Sequence, residues 1–176
     1  MKPHTASIMR LGHEAVRATG QELAQLLKSA VDDGAGIGFM APLQRDKAEA
    51  YWAGVAEAVA DGRTLLFVAF EQSRITGTAQ LQIVQWPNQP HRAEIAKIMV
   101  APGSRRKGIG RSLLTNAEAA ARAMGRTLLV LDTESGSSAE RLYLSLGWQK
   151  AGIIPDFALR AHGGLTPTTY MFKRLT

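Results

Sequence analysis

The densest chemistry in this 176-residue chain lies in Arg105-Arg106-Lys107-Gly108-Ile109-Gly110-Arg111. An apolar, strand-like segment, Ile95 to Val100, ends at Pro102 just before it, and an alanine-rich helical run to Met124 follows. A glycine-punctuated basic loop at a helix start turns successive backbone N–H groups outward, where the helix dipole already favours an anion. Glycine at 108 and 110 permits close backbone approach and unusual φ angles. Arg105, Arg106, Lys107 and Arg111 add charge and donors. The fitting guest is a phosphate or pyrophosphate. The pattern is neither a Rossmann fingerprint, since position 113 is Leu, nor a Walker A loop, which needs Gly-Lys-Ser/Thr. The bland alternative is a basic surface turn ahead of a good helix N-terminus.

Two carboxylates stand in apolar strands on either side of this loop and helix: Glu94 and Asp132. Strand alternation places Glu94 on the face of Ile98 and Val100, and Asp132 on that of Leu128 and Val130. A carboxylate among such neighbours is costly without a partner or a task, and desolvation would raise its pKa and improve it as a base. The ordinary readings are an exposed residue near a strand start for Glu94, and helix capping or backbone bonding for Asp132. The chain has no cysteine, which removes disulfides, thiolate metal sites and an acyl-cysteine intermediate. His4, His13, His91 and His162 show no metal-ligand spacing, so no metal is expected.

The elements that must position these groups are read from periodicity. A first strand is expected over 5–11 and a helix over 13–31, with Val16, Leu23, Leu26, Leu27, Ala30 and Val31 recurring at helical period. The segment Gly34 to Pro42 is too glycine-rich for a regular element yet carries Ile37, Phe39 and Met40. It is either a tucked-in loop or a substrate-side wall holding Phe39 and Met40. A second helix covers 44–60, strands cover 64–70, 75–85 and 91–100, and the helix after the glycine loop covers 108–124. Its inward face is Ile109, Leu113, Leu114, Ala117 and Ala121. Leu128-Leu129-Val130-Leu131 is apolar on both faces and suits a central parallel strand over 126–133. A short helix over 138–146, a strand over 148–153, a long loop through Pro155 and Gly163-Gly164, and a strand over 168–174 complete the chain. Strand, crossover helix and strand from Glu94 to Leu131 predict a right-handed parallel pair.

At this length one domain, 1–176, is expected. Hydrophobic residues at 45% and charged residues at 20% are ordinary for a soluble globular chain. No apolar run approaches a membrane span, and the N-terminus lacks a signal-peptide pattern, which together predict a cytoplasmic protein. The net charge is +6, and between Val100 and Arg126 there are six Lys/Arg against one acid, Glu118. Nucleic-acid binding is the other usual reading of a basic patch, but no aromatics interleave it and no helix-turn-helix or RNA-binding signature accompanies it.

The pattern Val100-x-Pro102 then Arg105-x-x-Gly108-x-Gly110 resembles the acetyl-CoA pyrophosphate loop of the GNAT N-acetyltransferases. Ala139-x-x-Leu142-Tyr143-x-x-Leu146-Gly147-Trp148 is similar to a second segment of that family, and the order of elements is similar along essentially the whole chain. A narrower likeness lies in Gly38-Phe39-Met40-x-Pro42, Arg92-Ala93-Glu94, Asp132-Thr133-Glu134-x-Gly136 and Pro167-Thr168. These resemble tabtoxin-resistance-type acetyltransferases, which acetylate a β-lactam-containing amino-acid toxin. Gly136 departs from the broader family, many of whose members carry Asn there.

The resemblance implies an α/β fold: a central, mostly antiparallel sheet with one splayed parallel strand pair and flanking helices. It implies an acyltransferase that moves the acetyl group of acetyl-CoA to the amine of a small molecule by direct attack in a ternary complex. An amine arrives mostly as ammonium, so a base must take its proton. Glu94 and Asp132 are the candidate bases and also line the acceptor site. Tyr143 would be the general acid towards the CoA sulfur; its plain alternative is a core aromatic. The amides of Met99 and Val100 would bond the pantetheine arm, and one of them would also polarise the thioester carbonyl. Arg105 to Arg111, including Ile109, would hold the pyrophosphate. A homodimer is compatible with this reading. A module that binds acyl-CoA without catalysis is the alternative.

Overall fold

The computed structural model describes residues 6–175; Thr5, placed at the start of the first strand, lies outside them. The elements run β1 (Ser7–Leu11), α1 (His13–Ala18), α2 (Gly20–Asp32), α3 (Arg45–Ala60), β2 (Thr64–Glu71), β3 (Arg74–Ile83), β4 (Arg92–Val100), α4 (Ile109–Ala123), β5 (Leu128–Glu134), α5 (Ser138–Ser145), β6 (Gln149–Leu159) and β7 (Leu165–Arg174). The seven strands form one sheet in the order β1-β2-β3-β4-β5-β7-β6. Every neighbouring pair is antiparallel except β4 and β5. This is the mixed α/β arrangement expected.

Helices α1, α2 and α3 cover one face, where Leu23, Leu27, Val31 and Trp52 pack on Leu66 and Val68. Helix α4 covers the other, burying all five of its expected inward residues against Phe67, Leu81, Ile95 and Leu129. Glu118, buried on α4, accepts from Trp148 Nε1 at 2.9 Å and Lys173 Nζ at 2.7 Å, tying α4 to β7. A buried charge this well partnered avoids the cost of an isolated one.

Three expectations are corrected. The first helix is broken at Thr19, whose hydroxyl bonds back to the Ala15 carbonyl at 2.7 Å. Glycine follows, the weakest helix former after proline, so α2 starts afresh there. The expected long loop through Pro155 is instead the far end of a hairpin. β6 continues to Leu159 and β7 begins at Leu165, with the irregular register between Ile154 and Ala158 absorbing Pro155. As the outermost strand, β6 has a free edge on which a proline breaks no ladder bond.

The third correction concerns β4. Its register against β3 shifts between Thr78 and Gln80, and Lys97 there has φ +50°. This bulge reverses the alternation downstream. Glu94 pairs across Gln82, Ala96 across Gln80 and Met99 across Thr78. Glu94 therefore shares a face with Met99, while Ile98 and Val100 join the α4 side. Gly77 makes the close approach possible, since a Cβ there would lie 2.9 Å from the Met99 carbonyl oxygen.

Candidate active site

Pairing between β4 and β5 stops early. Only Arg92, Ala93 and Glu94 have partners, in Leu128, Leu129 and Val130. Beyond Glu94 the strands part, and β4 from Ile95 to Val100 has no ladder partner on that side. The parting opens a cleft of about 910 Å³. Its walls come from both faces of the sheet: Gly34 to Gly38 from the loop after α2, Ile95 to Val100 of β4, the start of α4, Asp132 to Glu134 of β5, Tyr143 of α5, and Phe157 with Thr168 from the hairpin.

At one end stands the glycine loop. Gly108 caps α4 with φ +83°, and among the described residues no side chain caps the free N–H groups of that helix end. A Cβ at Gly108 would meet nothing within 4 Å, so the space in front of the helix is open. Arg105 is braced by Asp33 at 2.5 Å and by the Val100 carbonyl at 3.2 Å. Ser104 donates to Glu71 at 2.5 Å, and Lys107 lies 3.3 Å from the same carboxylate. Glu71 thus anchors the loop to the end of β2. Arg105, Arg106, Gly108, Ile109, Gly110 and Arg111 line the cleft, as do Met99 and Val100; Lys107 does not. An open helix N-terminus ringed by guanidinium groups is suited to a polyphosphate.

At the other end are Asp132, Lys97 and Tyr143. Asp132 opens into the cleft, yet the protein mass around it pushes its pKa up, partly offset by the Lys97 charge. Tyr143 is buried at 6% exposure, its ring 5.9 Å from that of Trp148. Burial, and then the Asp132 charge, push its hydroxyl pKa up. Lys97 donates to the Ile37 carbonyl at 2.8 Å and lies 5.8 Å from the Phe39 ring centroid. Burial lowers its pKa while Asp132 raises it.

The expected acceptor residues separate. Glu94 is outside the cleft lining and is held by Arg92 at 2.6 Å, whose guanidinium also grips Gln89. Phe39 turns away to pack edge-on against Tyr51, centroids 5.2 Å apart, and Met40 is 46% exposed outside the cleft. The loop is thus wall in its first half and tucked in at Phe39. Lys97 carried no motif signal. Its only trace in the sequence is a charged residue inside the otherwise apolar run Ile95 to Val100.

A family model for the acetyltransferase (GNAT) family matches residues 23–148. An N-acetyltransferase of Azospirillum brasilense, named for the hisH-hisA intergenic region, is 36% identical over 113 residues. That match covers 63% of this chain and 66% of the relative, just under two thirds of its length. Among solved structures, yncA of Salmonella typhimurium, with its cofactor acetyl-CoA, superposes with a TM-score of 0.79 at 24% identity, covering 98% of this chain and 95% of that one. A phosphinothricin acetyltransferase of Sinorhizobium meliloti in complex with acetyl-CoA gives 0.75 at 19% identity, covering 97% and 89%. At these identities the structural likeness speaks to the fold.

Proposed function

The chain belongs to the acetyltransferase (GNAT) family, and from that premise we propose that it transfers the acetyl group of acetyl-CoA to the amine of a small molecule within a ternary complex. The observation that carries this is the single cleft running from a cationic helix N-terminus to Asp132 and Tyr143 through the parted β4 and β5. Acetyl-CoA supplies the activated acetyl group as a thioester. The open space at Gly108, the uncapped α4 start and the Arg105, Arg106 and Arg111 side chains fit its pyrophosphate. The β4 edge at Met99 and Val100, free of a β5 partner, fits the amide-bearing arm.

Asp132 is the base that takes the proton of the incoming ammonium. It faces the cleft, and its raised pKa makes it a better proton acceptor than an exposed aspartate. Glu94, engaged by Arg92, acts at longer range by adding negative potential beside Asp132. Tyr143 holds a proton for the departing sulfur. The acceptor reading is an amino-acid-like toxin or antibiotic of the tabtoxinine-β-lactam type. It is supported by part of the narrower resemblance: Gly38, Asp132, Glu134 and Thr168 line the cleft, whereas Phe39, Met40 and Glu94 lie outside it.

Purified protein, acetyl-CoA and a panel of amino acids, amino-acid analogues and polyamines, with free-thiol detection, test this. Thiol release that depends on an amine is expected, with amino-acid analogues preferred. Tight acetyl-CoA binding without acceptor-dependent release would make the chain a non-catalytic acyl-CoA-binding module.

A further inference from the structure

Lys97 occupies a point where β3, β4 and the loop after α2 meet. Its backbone sits in the left-handed region, φ +50°, which a lysine does not enter without support. The support is visible. Thr78 Oγ1 donates to the Lys97 carbonyl at 3.1 Å, fixing the bulge from the β3 side. The side chain then reaches the loop, donating to the Ile37 carbonyl at 2.8 Å and lying over the Phe39 ring. Between those two residues Gly38 folds so closely over the ammonium that a Cβ there would stand 3.3 Å from Nζ. Lysine at this position therefore carries the only side-chain hydrogen bond from the sheet to the Ile37 carbonyl among the described residues.

The same ammonium faces Asp132 without forming an ion pair with it. The two act through charge across a gap, and the carboxylate remains free for a ligand. The other titratable groups facing Asp132 are Glu94 from β4 and Tyr143 from α5, with Tyr170 its partner in β7 and Glu134 beyond it on β5. None of these is cationic. The Arg92 charge beside Glu94 is taken up by that carboxylate.

We propose that Lys97 is a positioning residue for the transfer reaction: it straps the Gly34–Gly38 wall onto the parted strands and sets a positive charge facing Asp132 at the reacting centre. This rests on the reading of Asp132 as the base. The strap and the charge are one group, so closing the acceptor wall and setting the field at the base are coupled. A loop that swings away with its Ile37 carbonyl leaves Lys97 better hydrated and its field at Asp132 more screened.

The test compares the wild type with Lys97→Met, Lys97→Arg and Asp132→Asn, all as the full chain. Methionine keeps most of the length and loses the charge and the hydrogen-bond donor. Asp132 is titrated by carboxyl ¹³C NMR, loop opening is read by amide hydrogen exchange over 34–42, and turnover is measured on the best amino acid of the acceptor panel. Lys97→Met is expected to move the Asp132 midpoint to higher pH and to speed exchange in the loop, with exchange in β2 and β3 unchanged. Its kcat/KM should fall on the order of tenfold to a hundredfold, with acetyl-CoA affinity held. Lys97→Arg should restore the midpoint. An unmoved midpoint and unchanged loop exchange in Lys97→Met, with Asp132→Asn inactive, would overturn the role of Lys97 alone. Wild-type turnover in Asp132→Asn would overturn Asp132 as base, and the role of Lys97 in transfer with it.

Discussion

Tyr143 answers to two demands that one substitution separates. Its ring packs against Trp148 in the core beneath the cleft, and its hydroxyl lies within the field of Asp132. Burial and that charge both favour the neutral phenol, so the proton stays on through the neutral and mildly alkaline range. Tyr143→Phe keeps the ring and removes the donor. Turnover is expected to fall by about 10²-fold, the low end for a general acid because a thiolate leaves readily. Acetyl-CoA affinity and melting temperature should change little. Because the pKa is raised, Tyr143 should contribute no alkaline fall in rate below its ordinary range near pH 10. A Phe variant with a wild-type single-turnover rate would leave Tyr143 as a packing residue. Tyr143 and Asp132 were legible because each stands in a patterned segment. Lys97 was not: its importance comes from a backbone bulge, and no glycine or proline at 96–98 marks one.

The two glycines of the basic loop differ in what they protect. Gly108 needs its left-handed φ of +83° to start α4, and a Cβ there would project into open space. Gly110 has ordinary φ, but a Cβ would meet Leu142 Cδ2 at 3.1 Å, where α4 packs on α5. Gly108→Ala should therefore cost about 1–2 kcal/mol through backbone strain and, by crowding the anion site, weaken acetyl-CoA clearly. Gly110→Ala should act first on stability by displacing Leu142. Urea denaturation and calorimetry on both variants separate the effects, and acetyl-CoA affinity unchanged in folded Gly108→Ala would remove the phosphate assignment. At this scale the crossover unit was readable from its apolar run, glycine loop and helical period. The β6–β7 hairpin was hidden because Pro155, Asp156 and the Gly163-Gly164 pair are turn chemistry, and only an edge position lets a strand carry a proline.

Across the whole molecule, the sheet is joined at its middle by three residue pairs of β4 and β5, and the cleft replaces the rest of that seam. The strands β1 to β4 with α1 to α4 stand on one side, and β5 to β7 with α5 on the other. A ligand lying in the parting contacts both. On the proposed reading its site needs Arg105 and the α4 start, on the first side, to face Tyr143 and Asp132 on the second, an arrangement that unfolding abolishes. Acetyl-CoA at a hundred times its Kd should then stabilise the native state by about 2.7 kcal/mol. For a chain of this size that is roughly a 5–10 °C rise in melting temperature. If Arg105, Arg106 and Arg111 hold the pyrophosphate, part of that affinity is electrostatic and added salt should shrink the shift. A melting curve with acetyl-CoA, with free pantetheine and with each at two salt concentrations checks both statements. Pantetheine lacks the phosphates and should give a small, salt-insensitive shift. Equal shifts for the two compounds would mean that the basic helix start does not hold the pyrophosphate.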